Sequence, residues 1–158
     1  MPLRRLALVA AVVAVSWGYA AAQARKAEVK ISISADKPTV KSGSDISIHI
    51  VMKNTSDHEL SCMSAYADNH VDISFLYRVT GPSGKPVSKR VPKYPVLPRA
   101  GSIYPCMFGP GKSTSPRPSL ISNIFNMTEP GTYTIQVLRH TTEDSWVRSN
   151  VIHVTVTP

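Results

Sequence analysis

Apolar and polar residues alternate along much of the chain. Val29, Ile31 and Ile33 are separated by single residues, and so are Ile46, Ile48, Ile50 and Met52. The pattern returns at Ile73, Phe75, Tyr77 and Val79, at Tyr133, Ile135 and Val137, and at Ile152, Val154 and Val156. Period two puts the apolar members of each run on one face of a strand. Two sheets that each carry one apolar face hide them against each other, so the pattern predicts an all-β sandwich. Turn chemistry punctuates the runs at Lys41-Ser42-Gly43-Ser44, Asn54-Thr55-Ser56-Asp57, Gly81-Pro82-Ser83-Gly84 and Glu129-Pro130-Gly131. Weaker strands are expected at Lys85 to Lys89 and at Leu120 to Asn126, for a total of about seven. No amphipathic helix of convincing length is visible.

The run Glu129-Pro130-Gly131-Thr132-Tyr133-Thr134-Ile135 resembles the E–F corner and strand F of immunoglobulin-like and fibronectin III-like domains. The resemblance implies an Ig-like antiparallel β-sandwich in which Tyr133 is the corner tyrosine, its hydroxyl bonded to upstream backbone. Ile135 stands where an antibody domain has its second core cysteine, and Phe75 replaces the tryptophan of the third strand. The chain is therefore similar to the wider bacterial group rather than to antibody domains. The Asn54–Asp57 turn and Gly84-Lys85-Pro86-Val87 are similar to features of secreted bacterial sandwiches, including the BsuPI-type proteinase inhibitors. Such motifs imply a fold and carry no function with them.

The amino terminus reads as a targeting segment. Arg4 and Arg5 precede an apolar run from Leu6 to Tyr19, and Ala20-Ala21-Ala22-Gln23-Ala24 offers small-residue cleavage sites after 22 or 24. The run is shorter than the roughly 20 residues a spanning helix needs. Residues 1–24 are thus expected to be a removed signal peptide and 25–158 a single secreted or periplasmic domain without stable membrane insertion. Cys62 and Cys106 are the only cysteines, and export makes a disulfide the expectation. It is read as a staple tying a long central loop to the sandwich. Each cysteine precedes a methionine, which raises the alternative of a periplasmic copper carrier built on the Cys62-Met63 and Cys106-Met107 pairs.

Charge is distributed unevenly. No Asp or Glu occurs between Asp72 and Glu129, whereas Arg78, Lys85, Lys89, Arg90, Lys93, Arg99, Lys112 and Arg117 all do. Nine of the 13 prolines fall in the same interval. Val91 to Arg99 reads as an extended, polyproline-like segment whose prolines restrict it before any partner arrives. Lys85, Lys89, Arg90, Lys93, Tyr94, Arg99 and Tyr104 are the candidate binding residues, with Phe108 as a further exposed aromatic. Their sign suits an anionic partner: an envelope polymer, lipid head groups or an acidic protein face. No nucleic-acid-binding motif accompanies the charge.

Catalytic chemistry finds no support. There is no Gly-x-Ser-x-Gly element. His49 and His153 fall on the polar faces of strands in different sheets, and the other histidines, His58, His70 and His140, show no metal-ligand spacing. Asp68 and Asp72 read as a polar loop, Trp146 as a side chain folded over the sandwich edge. Asn54 and Asn126 match the N-glycosylation pattern. The expected protein is a non-catalytic binding module without metal or cofactor. The alternatives are a proteinase inhibitor presenting its central loop and the copper carrier.

Overall fold

The computed structural model describes residues 28–67, 71–90, 102–141 and 146–158. In chain order the strands are β1 (Val29–Ala35), β2 (Thr39–Lys41), β3 (Ser47–Asn54), β4 (Leu60–Ala67), β5 (Val71–Asp72), β6 (Leu76–Thr80), β7 (Ser102–Phe108), β8 (Arg117–Leu120), β9 (Gly131–His140) and β10 (Trp146–Thr157). The one helical element among them is a 3-10 turn, Ile121–Asn123.

Seven strands form a curled mixed sheet in the order β6-β9-β10-β1-β3-β8, with β2 beside β10. The other three form a small antiparallel sheet, β5-β4-β7. The all-β, sandwich-like expectation holds, but the purely antiparallel one is corrected. β10 runs parallel to β1 at Ile31↔Ser149 and parallel to β2 from Thr155↔Thr39 to Thr157↔Lys41.

β10 serves two neighbours because its register against β9 shifts between Arg148 and Val151. Such a shift bends a strand and leaves backbone unpaired. Asn150 fills the gap: its Oδ1 accepts from Ile33 N–H at 2.8 Å and its Nδ2 donates to Ile33 C=O at 3.0 Å. The carboxamide thus does the work of one peptide group. Beside it, the buried Ser149 hydroxyl accepts from Val137 N–H at 2.9 Å.

The alternating residues meet as expected. Ile31, Ile33, Ile48, Ile50 and Met52 belong to one buried cluster with Tyr77, Val79, Tyr133, Ile135, Val137, Val154 and Val156. The weaker strands do not form as expected. Lys85 to Lys89 contributes only isolated bridges, Thr80↔Pro86 and Lys89↔Phe125, because proline has no N–H to continue a ladder. In the 120–126 stretch the ladder ends at Leu120, and Ile121 N–H then donates to Ile46 C=O while Ser122 Oγ accepts from Ile46 N–H. Ile73 is 60% exposed, and strand β6 starts only at Leu76. The length beyond a minimal sandwich is not one long loop; part of it forms β4, β5 and β7.

At the corner before β9, Tyr133 Oη donates to Glu129 C=O at 2.9 Å. Gly131 beside it has φ +138°, and a Cβ there would lie 2.6 Å from the Pro82 side chain. Gly131→Ala should therefore cost about 1–3 kcal/mol through strain and overlap. An unchanged denaturant midpoint would refute that. Burial raises the Tyr133 pKa above its ordinary 10.0, opposed by its bond to the Glu129 backbone. A phenol whose folded value is raised contributes stability that is present below pH 10 and lost as pH climbs through the folded value. Tyr133→Phe should lose about 1 kcal/mol below pH 10. Its deficit against the parent should shrink above that pH, and urea midpoints on either side measure both effects.

Candidate functional site

The small sheet is where sequence reasoning and structure differ most. β4 and β7 pair from Leu60↔Phe108 to Tyr66↔Ser102, with Cys62 directly opposite Cys106. Their Cα atoms are 5.0 Å apart and their sulfurs are bonded. The disulfide is therefore a rung inside this sheet, not a staple from a loop to the sandwich. By loop-closure entropy a ring spanning 44 residues contributes about 4 kcal/mol. Successive residues of a strand point to opposite faces. Cys62 and Cys106 pack against the core, whereas Met63 and Met107 are 57% and 69% exposed. The four sulfurs of the copper-carrier reading thus do not converge, and neither cysteine keeps a thiol.

Polar contacts fix the small sheet to the large one. Asp72 N–H donates to Ser119 Oγ at 3.1 Å, and Tyr77 Oη donates to Asp72 C=O at 2.8 Å. Ser119 and Tyr77 hydroxyls lie 2.7 Å apart. Since the Tyr77 proton goes to Asp72, Ser119 gives its own to Tyr77, and the buried circuit closes. Arg139 of β9 donates to Met63 C=O at 2.7 Å and to Ser74 Oγ at 3.0 Å, with its guanidinium 5.0 Å from the Phe75 ring centre. Burial lowers its pKa from the ordinary value, and the charge on Asp72 opposes that shift. At the far end Asn54, fully buried, donates from Nδ2 to His58 C=O and Phe108 C=O at 2.7 and 2.9 Å. Its Oδ1 accepts from Ser56 N–H. Asn54 is thus a structural clamp rather than an accessible glycosylation site.

Between β3 and the small sheet opens a cavity of about 350 Å³. Ile50, Met52 and Phe75 give it apolar wall, and Ser64, Asp72 and Thr114 give it polar wall.

The sequence-derived binding residues are dispersed. Lys85 and Lys89 are exposed in the stretch after β6. Arg90 is exposed as well, yet its N–H donates to Ile124 C=O at 2.6 Å and its Nε to Phe125 C=O at 3.3 Å. Tyr104 lies on β7, 40% exposed, and lines the cavity. Phe108 is buried at 5%, which corrects its expected exposure: it ends β7 inside the core. Lys93, Tyr94 and Arg99 lie outside the described residues, as do the signal segment, Asp68 and His70. So does most of the segment on which the inhibitor reading rests.

His49 pairs with Asp36 and His153 with Thr134, so the two histidines have separate partners. Among the described residues no His, Cys, Asp and Glu group could hold a metal ion. Trp146 opens β10, 53% exposed, and its ring meets His140 edge to face at 5.2 Å. No protein-family model matches the chain, and no curated protein is significantly similar to it.

Arg139→Met should remove the bonds to Met63 and Ser74 and cost about 1–3 kcal/mol. Because those bonds hold the small sheet, amide exchange should speed up in β4 and β7 more than in β9 and β10. Uniform acceleration in all four strands would contradict the anchoring role.

Proposed function

We propose that this protein is an extracytoplasmic, non-catalytic binding module whose basic surface meets an anionic component of the cell envelope. One observation carries the reading. Among the described residues no lysine or arginine lies within ion-pair distance of a carboxylate; the pairs that do form are histidine contacts, at His49 and His58. The chain nevertheless has a formal charge of +8, and eight cations fall in the interval that lacks acids. Lys85, Lys89 and Arg90 therefore present charge that no carboxylate among the described residues pairs with. Surface cations left unpaired raise the local concentration of anions and steer their approach.

Anchoring supports the same reading. Residue 90 is bonded through its backbone to Ile124, and Asn126 N–H donates to Ser88 C=O at 3.1 Å. On the far side of residues 91–101, β7 is bonded to β4 along its length and crosslinked to it. Fixing the flanks lowers the entropy lost when a partner binds. The signal-like amino terminus and the disulfide fit a location outside the cytoplasm.

The reading is tested with dextran sulfate as a soluble polyanion. Lys85→Gln, Lys89→Gln and Lys93→Gln combined should leave the unfolding midpoint within about 0.5 kcal/mol of the parent. Binding should weaken, and its dependence on salt should flatten, because screening acts on the charges removed. Equal affinity and an equal salt dependence for parent and variant would sink the assignment.

A further inference from the structure

The cavity between β3 and the small sheet collects hydrogen-bonding groups that the fold does not consume. Ser64 of β4 lies opposite Tyr104 of β7, and Asp72 of β5 lies opposite Tyr66, two places along β4 from Ser64. Residues two apart on a strand share a face, as do residues opposite each other in a ladder. Ser64, Asp72 and Tyr104 therefore stand on the inward face of the small sheet, the face of Cys62 and Cys106, and all three line the cavity. Asp72 is 3% exposed. It commits its backbone and one carboxylate oxygen to the seam, where Oδ1 accepts from Ser74 N–H at 2.9 Å and from Ser74 Oγ at 2.5 Å. Among the described residues no donor reaches its Oδ2, and that oxygen is not sealed from solvent. A carboxylate so deeply buried is completed by whatever enters beside it. On the β3 side, Thr114 N–H donates to Met52 C=O at 2.8 Å and Thr114 Oγ1 accepts from Met52 N–H at 3.1 Å. Its hydroxyl proton remains to be given. Ser64 Oγ makes no hydrogen bond among the described residues.

We propose that this cavity binds a neutral sugar ring, with Asp72 Oδ2 accepting from ligand hydroxyls and the Ser64 and Thr114 hydroxyls donating to them. The inference is independent of the basic surface. The site offers an acceptor and two donors in one set of walls, and a sugar hydroxyl both donates and accepts. Phe75 and Tyr104 add aromatic wall, against which the C–H face of a pyranose can lie. Charge selects against an ionic ligand. Arg139 donates to Ser74 Oγ at 3.0 Å, and Ser74 in turn donates to Asp72, so the carboxylate already has its counter-charge. A cation would meet the field of Arg139 and an anion that of Asp72. Size agrees: about 350 Å³ lies at the small end of ligand pockets and suits one ring better than a chain.

The test is titration of the isotope-labelled protein with glucose, galactose and N-acetylglucosamine, read from amide shifts. Each sugar is taken to about 100 mM, far above a millimolar dissociation constant. At least one sugar is expected to move the amides of Ser64, Asp72 and Thr114 to saturation while those of Asn150 and Ile33 stay in place. Its affinity should be the same at low and high salt, because the ligand carries no charge to screen. Asp72→Asn keeps an acceptor for Ser74 and turns the inward oxygen into a donor, so it should weaken the sugar about tenfold. Should that variant misfold, Tyr104→Ala decides: Tyr104 is 40% exposed, and losing its ring should weaken binding by a similar factor. Unchanged affinity in the variant that folds overturns the proposal. So does the absence of a saturable shift with all three sugars. A butylamine titration that moves the same amides at lower concentration than any sugar also overturns it, and assigns the cavity to a cation. None of these outcomes bears on binding of dextran sulfate, which tests the basic surface by itself.

Discussion

The pairing of the Asn150 carboxamide with both backbone groups of Ile33 is the contact on which the larger sheet depends. β10 must hold β9 along its length and yet lie beside β1 early and β2 late. A straight strand cannot serve both neighbours, and a bent one strands peptide groups at the bend. Buried or half-buried backbone without a partner is costly. Asn150 supplies the missing donor and acceptor from a side chain, and Ser149 satisfies Val137 next to it. The curl that lets one sheet enclose the core follows from this local substitution.

Much of the larger sheet was legible because burial there follows period two. Ile31, Ile33, Ile48, Ile50, Tyr133, Ile135, Val154 and Val156 are read off the alternation and are all buried. The small sheet was not legible, for a physical reason. On β7 both faces carry apolar or aromatic residues, Ile103 and Met107 outward, Cys106 and Phe108 inward, so no alternation survives. Pro105 further disguises a strand that tolerates it only at an edge. β4, Leu-Ser-Cys-Met-Ser-Ala-Tyr-Ala, is mostly small residues with no period. The parallel pairing of β1 and β2 with β10 was hidden because it depends on chain ends meeting across more than a hundred residues. Of the candidate binding residues, the exposure of Lys85, Lys89 and Arg90 was legible from charge, whereas the inward turn of Phe108 was not.

The molecule keeps its satisfied polar groups and its unsatisfied charges apart. Asp72, Ser119, Tyr77, Asn54 and Arg139 close their bonds at the seam between the sheets. Among the described residues the lysines lie outside that seam and pair with no carboxylate. Polar residues at the seam act on stability, because a broken partner leaves a buried group bare. Surface cations contribute little to stability and are free to act on what approaches. Substitutions in the two groups should accordingly have separable phenotypes, and the small sheet lies where the two regimes meet.

The parallel ladder of β2 and β10 also determines how the domain bears load. β2 lies near the start of the described chain and β10 at its end, side by side and pointing the same way. β1, which precedes β2, also runs parallel to β10, so a pull on the two ends drags β10 past both strands along their length. The bonds of Thr155 N–H to Pro38 C=O and of Ser42 N–H to Thr157 C=O are then stretched together instead of one after another. Shear of this kind resists force better than unzipping does. The crosslinked ring from Cys62 to Cys106 lies outside the loaded path until that clasp gives way. A domain pulled at its two ends would yield late, and would keep its crosslinked small sheet intact when it did.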